Sequence, residues 1–190
     1  MPSDNHYDAR FHGENWSGRA MQGAMFEQCT FERCDLARAD LAKCRFIDCA
    51  FTACDLTMVK LRGAGLQDVR FEECKVLGVD FSACNPMLLQ VTFDRCKLDH
   101  SVMVGMKLKG TRYDRCTMHG VDFSTAELEE AVFPGCDLLN AVFERTSLRK
   151  ADLTTATNFR INPTSNDLRG ARFSVHGAIA LLEPFGVEVE

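Results

Sequence analysis

Ten cysteines are the side chains of this 190-residue chain with the widest chemical capacity, as disulfides, soft-metal ligands or thiolate nucleophiles. They stand at Cys29, Cys34, Cys44, Cys49, Cys54, Cys74, Cys84, Cys96, Cys116 and Cys136, and every gap up to Cys84 and beyond Cys96 is a multiple of five. No Cys-x-x-Cys pair exists, which argues against a zinc finger. Met1 to Arg10 is polar, with no signal-peptide core, which argues against a secreted disulfide scaffold. Two other constellations have catalytic residue types: Cys116 and His119, spaced C-x-x-H, and the contiguous Asp99, His100 and Ser101. Glu127, Glu129 and Glu130 form the densest acidic spot.

Arithmetic this strict belongs to a structural repeat, and a catalytic site has no need of it. Two residues after most of the cysteines stands a large apolar side chain, and that position recurs every five residues from Phe11 to Phe81. The run breaks at Asn85-Pro86, where two residues are inserted, and resumes from Leu88 to Leu153. Two positions before most of the large residues is a small or medium one, usually Ala, Cys or Val, and Asp is frequent in between. A period of five fits neither a helix nor a flat strand. It fits a chain that turns a corner every five residues and points one large and one small side chain inward each time.

The motif A/C-D/N-L/F-x-x resembles the pentapeptide-repeat family over roughly residues 9–156, with a return at Leu168 and Phe173. The resemblance implies an all-β fold, a right-handed quadrilateral β-helix with four pentapeptides per coil and a short C-terminal helix as cap. A 20-residue lap then stacks Phe31, Phe51, Phe71, Phe93, Tyr113 and Phe133 in one core ladder, and Cys34, Cys54, Cys74, Cys96, Cys116 and Cys136 in the next. In that register Cys116 and Ser101 point inward while His119 points outward, so neither catalytic constellation assembles. Stacked cysteines about 4.8 Å apart exceed the ~3.8 Å between Cβ atoms that a bridge prefers, so they act as small buried hydrophobes. No phosphate loop or nucleotide motif is present. The sequence calls for no enzyme activity, cofactor or metal.

Residues 1–8 read as an N-terminal segment and 9–173 as the β-helix, with a bulge over 84–92 and an irregular loop over 157–166, where Asn158 and Pro163 fall on core positions. Residues 174–190 read as a cap. Ser174 N-caps a helix that packs through Val175, Ala178, Ile179 and Leu182, and Val187 to Glu190 alternates like an edge strand. Leu181 and Phe185 fall off that packed stripe. Related family members dimerise through such an ending, so Ile179, Leu181, Leu182, Phe185 and Val187 are the expected dimer or cap residues.

The 22 basic and 27 acidic side chains are evenly spread, which excludes a basic nucleic-acid grip. No apolar run approaches the ~18 residues of a membrane span. A cytoplasmic, non-catalytic binding protein is expected. Resemblance to the gyrase-interacting Qnr-type members implies DNA mimicry toward a type II topoisomerase, DNA gyrase or topoisomerase IV, with quinolone protection. A duplex-like field over about eight coils needs on the order of 22 net negative charges, against a net charge of −5. That shortfall keeps open the alternative, a rigid scaffold for another protein partner. Met87, Leu89, Glu127, Glu129 and Glu130 are the candidate partner-binding surface.

Overall fold

The structure, a computed structural model, describes residues 5–187. The chain winds into a parallel β-solenoid of about eight turns, ended by one short helix. Strands β1 (Asn5–Tyr7) and β2 (Arg10–His12) lie in the first coil, β3 (Met25–Glu27) and β4 (Thr30–Glu32) in the second, and β5 (Arg45–Ile47) and β6 (Ala50–Thr52) in the third. In the fourth, β7 (Gly65–Glu72) runs through the corner and joins both walls. Then come β8 (Leu89–Asp94), β9 (Tyr113–Asp114), β10 (Asp152–Leu153), β11 (Arg172–Phe173) and helix α1 (Val175–Ala180). Pairing is parallel, and the regular register steps by one lap, as in Phe11↔Phe31↔Phe51↔Phe71. The other two walls are single-residue bridges stacked likewise, such as Asp35↔Asp55↔Lys75↔Lys97↔Thr117.

Where Asp stands before the inward large residue, the corner has a local cause. The carboxylate just before the inward large residue accepts the backbone N–H two residues on: Asp35 from Ala37 (2.9 Å), Asp122 from Ser124 (2.8 Å) and Asp152 from Thr154 (2.9 Å). This Asx-type bond tightens the turn. The second residue after the large one then takes a left-handed conformation, even where it is Arg38, Met58 or Thr125. Inside, the phenyl rings lie nearly parallel from coil to coil, with centroids 4.3 Å apart for Phe31–Phe51, 5.2 Å for Phe51–Phe71 and 5.1 Å for both Phe71–Phe93 and Tyr113–Phe133. Tyr113 is fully buried, and its hydroxyl meets only the Met103 sulfur at 3.4 Å.

Four details depart from the sequence reading. The first coil begins at Asn5, which pairs with Met25, inside the segment set apart as 1–8. At the insertion, Asn85 caps a 3-10 turn over Pro86–Leu88, and Leu89, not Leu88, pairs with Leu66 and packs against the core. Leu88 instead lies on the outside of Gly65, where a Cβ would stand 3.2 Å from its side chain. Leu89 is thus half-buried rather than a free surface residue. In the irregular coil Asn158 adopts the left-handed corner, and Phe159 and Ile161 fill the interior in place of Asn158 and Pro163.

The helix is rotated relative to expectation. Ser174 does cap it, its Oγ accepting the Gly177 N–H at 3.0 Å. The face against the rod, however, is Gly177, Ala180 and Leu181; Val175, Ala178, Ile179 and Leu182 face out. The Phe159 ring dictates this, since a Cβ at Gly177 would come within 2.7 Å of it. Only glycine lets the helix settle there. Of the alternating C-terminal segment, Val187 is exposed and residues 188–190 lie outside the described residues.

Candidate functional site

All ten cysteines are buried and free. Burial pushes the thiols of Cys44 and Cys49 up to about 11 and that of Cys84 to about 12. Cys54 is raised by its hydrogen bond to Cys74 and then by burial. Each column thiol donates to a backbone carbonyl one coil back: Cys54 to Phe31 (3.4 Å), Cys74 to Phe51 (3.3 Å), Cys96 to Phe71 (3.4 Å) and Cys136 to Tyr113 (3.2 Å). The buried hydroxyls of Ser101 and Thr146 make the same bond, to Val76 (2.8 Å) and Phe123 (2.9 Å). That shared geometry is structural.

Cys116 points into the core and donates to the Asp114 carbonyl at 3.3 Å, while His119 lies on the outer wall with Nε2 2.9 Å from Asp137 Oδ2. Asp99 is occupied by the His119 N–H at 2.9 Å, and His100 covers Gly120. The structure therefore keeps apart the members of both candidate constellations. The Asp137 hydrogen bond holds the His119 imidazole above its ordinary value. Burial opposes ionisation of Asp137, but hydrogen bonds from Asn158, His119 and the Leu139 N–H outweigh it and keep the carboxyl low. Among the described residues, no group of three or more His, Cys, Asp or Glu is placed to hold a metal ion.

What remains is surface. The Phe51–Phe133 wall carries an ion-pair ladder: Arg95 contacts Glu72, Glu73 (3.1 Å) and Asp94 (2.7 Å), and Arg115 contacts Asp94 (3.2 Å) and Asp114 (3.0 Å). The Glu127–Glu130 spot is hemmed by cations, with Glu130 within 3.9 Å of Lys109 and 3.8 Å of Lys150, and Glu129 4.0 Å from Arg149. Among the described residues each wall mixes acids with bases, as in the Asp35, Asp55, Lys75, Lys97 stack, and none presents an unbroken negative stripe. Met87 is 90% exposed on the insertion. Beyond the last coils, Val175 (80% exposed), Ile179, Leu182, Phe185 (56%) and Val187 form an apolar outer face, with Leu181 turned in against the rod. A cleft of about 700 Å³ runs beneath the helix between Leu139, Thr155, Phe159 and His176. Sequence reasoning missed this cleft, because Phe159 lies one residue off the five-residue register.

Residues 24–103 match the family described as "Pentapeptide repeat region", and residues 122–157 match "Pentapeptide repeats (8 copies)". Among solved structures, two trypsin-treated variants of QnrB1, a plasmid-mediated fluoroquinolone resistance protein, superpose with TM-scores of 0.65. They are 21% and 20% identical and cover 98% and 97% of this chain and 100% and 99% of their own. HetL from the cyanobacterium Nostoc sp., described as involved in heterocyst differentiation regulation, is 18% identical over 91% of this chain and 87% of its own, with a TM-score of 0.35. A search of curated protein sequences finds no significant match.

Proposed function

The chain belongs to the pentapeptide-repeat family, and from that premise we propose that it is a non-catalytic rod that binds another protein through its walls. The observation that carries this reading is the rod itself: a packed core with its reactive side chains inside and flat, preordered walls outside. Such walls lose little conformational freedom on binding. Among the described residues no helix is long and apolar enough to cross a membrane, and the reading places the protein in the cytoplasm. The exposed apolar face of Val175, Ile179, Leu182 and Phe185 suits a second copy of the chain, joined end to end through the C-terminus.

The partner class the reading names is a type II topoisomerase, DNA gyrase or topoisomerase IV. Its support is the full-length likeness of fold to QnrB1, whose description is fluoroquinolone resistance. Interleaved charge favours a second reading, a scaffold for a different protein, because DNA mimicry relies on a continuous negative field. Supercoiling by purified gyrase, with and without a quinolone, separates the two. The topoisomerase reading expects the protein to slow supercoiling or to relieve drug-induced cleavage. If excess protein alters neither, gyrase is excluded as the partner and the scaffold reading is favoured.

A further inference from the structure

The two-residue insertion opens the rod. On the Phe26/Leu66/Leu128 wall, the residue before each inward side chain donates its N–H to the coil before it: Arg45 to Ala24, Gly65 to Cys44, Glu127 to Met106 and Ser147 to Ala126, at 2.8–3.0 Å. Lys107 holds that place in the sixth coil, and among the described residues its N–H finds no partner. Arg112, at the matching place on the next wall, is alike, although Arg70 two coils before it and Val132 one coil on donate at 3.0 and 3.1 Å. Among the described residues the carbonyls of Lys107 and Lys109 accept nothing, whereas those of Glu127 and Glu129 one coil on accept from Leu108 (2.9 Å) and Gly110 (2.8 Å). The cause lies in the fifth coil, where the 3-10 turn carries the chain outward and the register slips between Leu66 and Val69.

The result is a cleft of about 340 Å³ between the Leu89–Thr92 and Lys107–Thr111 segments, with unpaired strand groups of the sixth coil along one side. Three cations line it, Arg70, Lys107 and Lys109, against one acid, Asp68. Arg70 and Lys107 have no carboxylate within ion-pair distance among the described residues, and Lys109 reaches Glu130 only at 3.9 Å. Positive side chains thus outnumber negative ones three to one along the cleft.

We propose that the split is a docking groove for an extended acidic segment of a partner protein, which adds as a strand to the free edge of the sixth coil. The proposal rests on the protein-binding reading and names the chemistry of the bound segment. An edge offering both N–H and C=O groups at strand spacing is completed by another strand. The cations select acidic side chains on that strand. A free phosphate suits the site less well, because the Lys107 and Lys109 carbonyls repel an anion and attract peptide N–H groups.

The test titrates the full-length protein with an acetylated, amidated peptide of three Val-Glu repeats, and with its Val-Lys counterpart, while amide resonances are followed by NMR. The acidic peptide should give saturable shifts confined to Leu89–Thr92 and Lys107–Arg112 and should slow exchange of the Lys107 and Arg112 amides. Lys107→Glu with Lys109→Glu should weaken binding about tenfold or more. Deleting Pro86 and Met87, which restores the regular lap, should abolish it. The proposal is overturned if the acidic peptide leaves those amides unmoved, if the lysine peptide binds equally well, or if the deletion variant still binds. It is overturned equally if Lys107 and Arg112 exchange as slowly in the free protein as Leu108 and Gly110. No topoisomerase enters the assay, so a null supercoiling result bears on the partner's identity and leaves the groove untouched.

Discussion

Cysteine, serine and threonine are interchangeable at the small inward position because each presents one short donor to a carbonyl one coil back. Ser101 and Thr146 reach 2.8 and 2.9 Å, and the larger sulfur of Cys74 reaches 3.3 Å. The thiol adds apolar volume that a hydroxyl lacks, so the column serves both packing and backbone satisfaction. The corners carry a local cost. Thr125 is β-branched and sits at φ 58°, a left-handed geometry that L-residues resist by about 1–2 kcal/mol. Glycine there loses more chain entropy on folding, which offsets part of the gain. Thr125→Gly should therefore stabilise the protein by about 1 kcal/mol in urea unfolding. An unchanged or lowered midpoint would show that the Thr125 hydroxyl, bonded to the Ser124 carbonyl at 2.7 Å, outweighs the strain.

At the scale of elements, the capping helix depends on one close approach. Gly177→Val places a Cβ against Phe159, where only 2.7 Å is available, and should free α1 from the rod. The expected signature is rapid amide exchange over Val175–Phe185 with protection of the inner coils kept. A variant whose helix stays protected would place the docking energy elsewhere, in Ala180 and Leu181. The five-residue period explains what the sequence made legible. The period of five names inward residues directly, and Phe31, Cys54 and Phe133 all lie buried where it puts them. Where the period lapses, volume and backbone geometry decide, and neither is written at a fixed spacing. Phe159 displaces Asn158 because a phenyl ring fills the interior and asparagine tolerates the left-handed corner. A helix of six residues, Val175–Ala180, is too short for its apolar pattern to single out one face, so a glycine chose it instead. The open seam beside Lys107 was not legible either, since it comes from a bulge one coil away.

For the whole molecule, electrostatics set an acid limit. Asp40, Asp55, Asp114, Asp137, Asp152 and Asp167 all titrate below the ordinary carboxylate value, Asp167 at about 2. The unfolded chain takes up protons first, so this stabilisation is present above about pH 4 and disappears as pH falls through the folded values. His119 works in the opposite sense: its raised value gives stability below about pH 6.5 that is lost as pH rises through the folded value. Melting temperature should therefore drop steeply between about pH 4 and pH 2, and Asp152→Asn should flatten that slope. A melting temperature constant over this range would mean that the corner carboxylates contribute nothing. Because the register repeats, distance along the axis is quantised. Lys107, Glu127, Ser147 and Asp167 stand directly above one another, so three laps, about 14 Å at the usual strand spacing, separate the open seam from the start of the coil that carries the helix. Excising one full lap would bring these two places about 4.8 Å closer without turning either about the axis. The rod is in that respect a gauge block, and a partner touching both places would be measuring it.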